Sequence, residues 1–304
     1  MLNLAEYRKT TTGLADYLPW VCLVAPGIVL NKDGSFQRTI RYRGPDLDSA
    51  TDAELVAVSA RLNNVLRPFG EGWALFFEAE RVPANQYPGH RFGDAASWLV
   101  DQERYAAFSA DGAHHESRYY LTLLYLPPPE HQGRAERLLY ERQEGYSDEA
   151  DVWGQLTWFE TETTRALELL SSILPEADAL DDVETLTYLH GTISDKRHPV
   201  TVPSIPTHLD AILCDTSFLG GVEPKLGRQH LRLLTVTGFP NTTTPGLFDA
   251  LNDLGFAYRW TTRWIALDKI QANRQLTKLR RQWFAKRKSV AAILREVMFN
   301  RETT

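Results

Sequence analysis

The 304-residue sequence is poor in cysteine, holding only Cys22 and Cys214. Two thiols cannot build a four-cysteine zinc site, and their wide separation suggests no disulfide framework, so a reducing compartment is expected. A long apolar run is also lacking. The longest, Leu18 to Leu30, is interrupted by Pro19, Pro26 and Gly27 and falls short of the roughly 20 residues a membrane helix needs. The opening residues MLNLAEYRKTTTG carry charges of both signs and no apolar stretch, which is not the pattern of a secretory signal. The expectation is a chain that stays in the cytosol and does not cross a bilayer by itself. There is no internal repeat and no low-complexity tract. What is present is ordinary for a folded protein: 43% hydrophobic and 24% charged residues, enough length for one large domain or two associated lobes. The net charge of −6 gives the molecule as a whole no mean attraction to nucleic acid or anionic lipid.

Motifs that carry chemistry are equally scarce. No GxxxxGK[ST] run occurs, so the backbone N–H cradle, lysine and hydroxyl of a phosphate-binding loop are not found. Gly220 to Lys225 has neither the spacing nor the hydroxyl. Ala211 to Asp215 is an apolar run ending in a carboxylate, and without a phosphate loop it reads as a strand whose aspartate caps a turn. His114-His115-Glu116 lacks the second histidine of a zincin helix. The eight histidines form no ligand set readable from spacing. No GxSxG elbow is present and neither cysteine has a neighbouring histidine. Asp178, Asp181, Asp182 and Glu184 gather at a helix start, where negative charge complements the helix dipole. Asn241-Thr242-Thr243 matches a glycosylation sequon of no consequence in a chain without an export signal. No catalytic, cofactor-binding or metal-binding residue is therefore assigned.

The periodicities predict an α+β fold with mixed or antiparallel sheets and packed helices in two associated lobes. Residues 21–43 read as a hairpin around Asn31 to Ser35. Leu55, Val58, Leu62 and Leu66 recur at helical spacing behind a capping box of Thr51 and Glu54. Gly72 to Val82 and Arg118 to Leu126 read as strands, with a helix capped by Asp94 between them. From about residue 130 to 188 the chain reads as mostly helical, with Leu156, Phe159, Thr163, Ala166, Leu170 and Ile173 on the core face. Pro175 ends one helix and Asp181 begins the next. Pro199, Pro203 and Pro206 mark an extended connection. Leu209 to Cys214, His230 to Thr237 and Phe256 to Leu267 read as strands. A helix from about Pro245 to Leu254 is capped by Thr244, and a long helix begins at Asp268. The expected division is an N-terminal α+β lobe at 1–129, a second helical and α+β lobe at 130–267, and a basic connector helix at 268–304.

Six collinear segments, GIVLNKDGSFQRTIRYRGPDLDSAT, GWALFFEAER, ETLTYLHGTIS, TGFPNTTTPGLFDAL, YRWTTRWIALD and LRRQWFAKRK, are spread over nearly the whole chain. Together they resemble the N-terminal region of the TrbE/CagE/VirB family of conjugal-transfer and type IV secretion ATPases. The resemblance implies an ATPase in which a RecA-like motor, holding ATP and Mg, follows the present region. It implies a docking and assembly role at the inner membrane, partners among the inner-membrane subunits of the secretion apparatus, and self-association as a hexamer. On this expectation the chain stops in or just after a connector leading toward an absent motor and is itself no enzyme. The competing expectation is a fragment of an active ATP-hydrolysing transfer protein.

The connector carries the most informative charge pattern. Between positions 268 and 288 stand eight basic residues against the single acid Asp268, a local charge of +7 that leaves −13 on the rest of the chain. Ile270, Leu276, Leu279, Trp283 and Phe284 add apolar surface to the same segment. Lys278, Arg281, Lys286, Arg287 and Lys288 are the candidate contact surface. Such a helix can pack on an acidic lobe of its own protein, lie peripherally on an anionic membrane, or bind nucleic-acid phosphates, single-stranded DNA included.

Overall fold

The computed structural model describes residues 13–45, 49–84, 87–109, 114–128, 149–238 and 247–287, with 240 and 242. After the one-turn helix α1 (Leu14–Tyr17), the chain runs through β1 (Trp20–Ala25), β2 (Ile28–Asn31) and β3 (Phe36–Arg43). This is a three-stranded meander rather than the single hairpin expected over 21–43. Pro26 and Gly27 divide the first apolar run, and Gly27 takes a φ of +67°. The second turn is the expected one: Asn31 N–H donates to the Ser35 carbonyl at 2.8 Å, with Gly34 at φ +80°.

The helix α2 (Asp52–Leu66) begins at the Thr51/Glu54 capping box, where Thr51 N–H donates to Glu54 Oε2 at 2.7 Å. Two long strands, β4 (Trp73–Pro83) and β5 (His115–Tyr125), pair along their whole length. Between them lies α3 (Ala95–Phe108), whose Asp94 cap accepts from Ser97 N–H at 2.7 Å. The 23-residue helix α4 (Glu149–Ser171) buries Leu156, Phe159, Thr163, Ala166 and Leu170, the face its spacing predicts. Ile173 lies beyond the helix end and is half-buried.

A short strand that the spacing does not announce, β6 (Glu176–Ala179), pairs with the second half of β3. The helix α5 (Asp182–Ile193) starts at a capping box of Asp181 and Glu184. Leu209–Leu213 is a helix, α6, and not the expected strand. Leu209 and Leu213 are buried while Ala211 and Ile212 face outward; burial at i and i+4 with i+2 exposed is not what a strand produces, since it places all three on one face. The short strands β7 (Phe218–Leu219), β8 (Lys225–Leu226) and β9 (Gln229–His230) form a separate antiparallel sheet. Residues 231–237, expected as a strand, form no regular element and present Leu233 and Leu234 to solvent. In place of the helix expected over 245–254, the chain makes a 3₁₀ turn at Asp249–Asp253; Thr244 and Pro245 lie outside the described residues. The last elements are β10 (Tyr258–Ile265) and α7 (Lys269–Arg287).

The main sheet is antiparallel throughout, in the order β1-β2-β3-β5-β4-β10, with β6 beside β2 along the same edge of β3. Its strands therefore come from both sides of position 130. Alternation along the strands gives it two different faces. Ile28, Leu30, Phe36, Ile40, Leu121 and Leu123 pack against α4 and α2. On the opposite face Trp20 and Val29 meet Leu186 and Leu189 of α5 and Leu209 and Leu213 of α6. The mixed α+β class and the terminal basic helix agree with the sequence. Among the described residues, no helix is long and apolar enough to cross a membrane.

Candidate functional site

The basic helix α7 begins where Asp268 Oδ1 accepts from Gln271 N–H at 2.6 Å, an N-cap at the residue where the sequence places the start of the segment. Ala266 N–H donates to the Trp73 carbonyl at 3.0 Å, and Gln271 Nε2 donates to Glu71, so the first turn is anchored to the sheet. Beyond it every side chain from Asn273 to Trp283 is exposed. Of the candidate surface, Lys278 and Arg281 stand one turn apart and line a shallow groove with Asn273, Arg274, Thr277 and Gln282. Neither forms an ion pair with another described residue. Lys286 and Arg287 close the helix with side chains outside the described set, and Lys288 lies outside the described residues. Among the described residues, no ion pair ties this helix between 273 and 283 to an acidic lobe of the chain, the first of the three readings. Next to it, Trp264 and Ile265 of the edge strand β10 and Ile270, Leu276 and Leu279 of α7 are all at least 58% exposed, a share of apolar surface that marks contact sites when contiguous.

A second constellation is buried between the sheet and α5. Arg259 of β10 reaches Glu78 at 3.2 Å and Glu80 at 2.6 Å, both on β4, and donates to the Gly191 carbonyl at 3.1 Å. Arg197 approaches Glu80 from the other side at 3.2 Å. The register of β10 on β4 places these partners together, since Arg259 stands opposite Glu80. Burial raises the Glu78 carboxyl above its ordinary range, with Arg259 opposing and Glu80 reinforcing the shift. Burial disfavours the Arg259 cation, but Glu78 and Glu80 outweigh it and its pKa lies above the usual value. Tyr188 of α5 packs against Tyr120 with centroids 4.5 Å apart and the rings tilted by 40°. Burial, then Glu78, holds its phenol far above the ordinary value. Thr39 and Thr122 share a hydrogen bond of 2.9 Å beneath it. Glu80 is hydrogen-bonded by both arginines, whereas Glu78 Oε1 and Arg259 Nη1 face each other at 3.2 Å as an ion pair without hydrogen-bond geometry, and the layer reads as the polar lock between sheet and helix.

A third cluster forms at the end of α5. His190, His198 and Asp215 bring one nitrogen or oxygen each to within 4.8 Å of one another. His190 Nε2 lies 3.1 Å from Asp215 Oδ1. Asp215 Oδ1 also accepts from Ser194 Oγ and Thr216 Oγ1, each at 2.9 Å, and Oδ2 accepts from Lys196 Nζ at 2.8 Å. Partial burial works against the carboxylate, yet the donors Lys196, Ser194 and Thr216, with His190 beside them, hold Asp215 well below the usual carboxylate range. Spacing could not reveal this set, because its members stand 8 and 17 positions apart on three segments.

The remaining motifs resolve structurally. Asp181 caps α5, Asp182 Oδ1 accepts from Gly27 N–H at 2.7 Å, Glu184 pairs with Arg41 at 2.9 Å, and Asp178 stands opposite Arg41 in the β3–β6 ladder. Asp215 follows a helix rather than a strand, so the arrangement is not that of a motor's magnesium-binding strand. His115 and Glu116 belong to β5.

Comparison with known proteins follows the same outline. Residues 27–133 match the model of the N-terminal domain of the type IV secretion system ATPase VirB4/TrbE. The chain is similar to the conjugal transfer protein TrbE of Rhizobium radiobacter, 29% identical across 93% of this chain and 36% of that protein. In Sinorhizobium fredii a probable conjugal transfer protein TrbE is divided into two pieces, and the chain is 39% identical to the first of them, covering 42% of this chain and 87% of that piece. It is also 24% identical to the type IV secretion system protein virB4 of Brucella abortus, across 90% of this chain and 35% of that protein. The chain thus spans about a third of the length of the Rhizobium and Brucella relatives.

Proposed function

Since the chain belongs to the VirB4/TrbE family of type IV secretion system ATPases, we propose that it serves as a docking and assembly region of such an ATPase. It seats the protein on the inner-membrane subunits of the secretion apparatus and contributes to self-association, while ATP hydrolysis belongs to a motor domain of the kind the family carries. The observation that carries this reading is the exposed surface formed by the edge strand β10 and helix α7. A sheet edge unpaired among the described residues, beside exposed Trp264, Ile265, Leu276 and Leu279, offers both main-chain hydrogen bonds and apolar area to a partner. Lys278 and Arg281 on the same helix favour an acidic partner or the anionic cytoplasmic face of the inner membrane.

The test is co-purification from detergent extracts with the small inner-membrane subunits of the same transfer system. The native chain retains them, and a Leu276→Ser/Leu279→Ser double variant that stays folded loses them. Retention of the subunits by the double variant refutes this surface as the docking site. The purified chain is expected to hydrolyse no ATP above buffer; turnover abolished by a point change within these residues would overturn that assignment.

A second reading has a specific observation in its favour. The unscreened basic groups of α7 suit single-stranded DNA, whose binding would weaken steeply with salt. Anisotropy of a labelled strand across a salt series decides it, and the absence of salt-sensitive binding removes it.

A further inference from the structure

We propose that His190, His198 and Asp215 form a binding site for a first-row divalent cation, and that Zn²⁺ is the ion the donor set fits. Two imidazoles and one carboxylate are the donors such ions take in preference to Mg²⁺ or Ca²⁺, which favour all-oxygen shells.

The geometry has three parts. His190 sits in the last turn of α5 with only 3% of its surface exposed. Its Nε2 is buried and forms no hydrogen bond of acceptable geometry, although Asp215 Oδ1 stands 3.1 Å away. A buried ring nitrogen left in this state calls for a partner, and a cation held between it and the carboxylate supplies one. The 3.1 Å separation is already close to the roughly 3.4 Å between neighbouring ligand atoms around a tetrahedral ion with bonds of about 2.1 Å. His198 provides the third donor. Its ring meets that of His190 edge-on, centroids 4.7 Å apart at 61°, so the two rings flank one space. It is exposed on the turn before Pro199 and closes in by a shift of that turn.

The surrounding groups already orient the carboxylate. Ser194 and Thr216 hydroxyls hold Oδ1 and the Lys196 ammonium holds Oδ2, an outer layer of the kind that fixes ligand direction in metal sites. Lys196 is also a competing positive charge, but its side chain is 52% exposed and swings into solvent at little cost. The remaining coordination positions face outward, open to water or to a donor from another molecule. Bound there, the ion cross-links the end of α5, the 194–198 turn and the segment after α6, adding a coordinate tie to the hydrogen bonds that join their polar groups.

The experiment is isothermal titration of the chelator-treated chain with Zn²⁺, with Co²⁺ absorption as a spectroscopic reporter. One Zn²⁺ per chain is expected, with visible Co²⁺ bands and no response to Mg²⁺. His198→Ala, a change at an exposed position that leaves the metal-free circular dichroism unaltered, weakens Zn²⁺ by about tenfold or more. Lys196→Met strengthens it, because a competing cation is removed. His190→Gln is informative only if it folds, so the assignment stands on His198→Ala and Asp215→Asn. It is overturned if the chain takes up no stoichiometric Zn²⁺, or if neither of those two changes weakens the binding.

Discussion

Replacing Arg259 by methionine tests the ionic lock between β4, β10 and α5. Methionine keeps most of the apolar stem and removes a charge that lies 3.2 Å from Glu78 and 2.6 Å from Glu80. Two opposite charges at about 3 Å interact by roughly 5 kcal/mol at an effective dielectric of about 20. Loss of one partner from a buried pair costs about 3–5 kcal/mol after solvation is included. Glu80 keeps Arg197, whereas Glu78, 8% exposed at its side chain, loses the cation that faces it. The Arg259 side chain is itself 24% exposed, which places the expected cost at the lower end, about 3 kcal/mol at neutral pH. The pH dependence has a definite sign. Burial already raises the Glu78 carboxyl, and removal of Arg259 raises it further. A carboxyl with a raised folded pKa contributes stability that is fully present below its unfolded pKa and lost as pH climbs through the folded value. The variant's deficit should therefore shrink on acidification, by about 1.4 kcal/mol for each pH unit between the variant's folded value and the lower one of the wild type. Urea unfolding followed by tryptophan fluorescence from neutral pH to about pH 5 measures this. Adding Glu78→Gln to the variant should recover much of the loss at neutral pH. A deficit below about 1 kcal/mol, or one that does not change with pH, would refute the lock.

Phe159→Ala empties the site where a fully buried ring packs on Phe36 and Trp73 at 5.8 and 5.6 Å, and should cost about 3–5 kcal/mol in the same unfolding assay. Gly27→Ala forces a Cβ into the Leu180 carbonyl oxygen at a φ of +67°, so a loss above about 1 kcal/mol is expected, with broadened amide signals at β1, β2 and the start of α5. Lys278→Glu with Arg281→Glu should leave urea stability within about 0.5 kcal/mol, because both positions are exposed and unpaired among the described residues. The same double change should abolish any association with anionic vesicles, read by sedimentation.

The parts of the fold legible in sequence are those where local chemistry and tertiary packing agree. Thr51 with Glu54 and Asp94 with Ser97 act through contacts three residues apart, and the core stripe of α4 is set by one helix's own period. The misreadings fall where local signals are short. Leu209 to Leu213 is too brief to separate alternate from i, i+4 burial. Glu176 to Ala179 has weak strand propensity and is a strand only because β3 offers an unpaired edge beyond β2. Residues 231–237 have strand-forming composition but pair with no strand among the described residues. For function, Lys278 and Arg281 are visible as charge on one helix. The histidine cluster is not, since the approach of His190, His198 and Asp215 depends on how α5, the proline-rich connection and α6 fold back on one another.

The sheet takes β6 and β10 from the later stretch of the chain and pairs them with β3 and β4 from the earlier one. A nascent polypeptide with only its first 130 residues outside the ribosome would hold half of β3 with a bare hydrogen-bonding edge until β6 is made about 49 residues later, and β4 until β10 is complete about 135 residues later. Two separately made pieces divided near that point would have no such wait in common. Each would be incomplete, and strand complementation between them would be the route by which both reach the finished sheet.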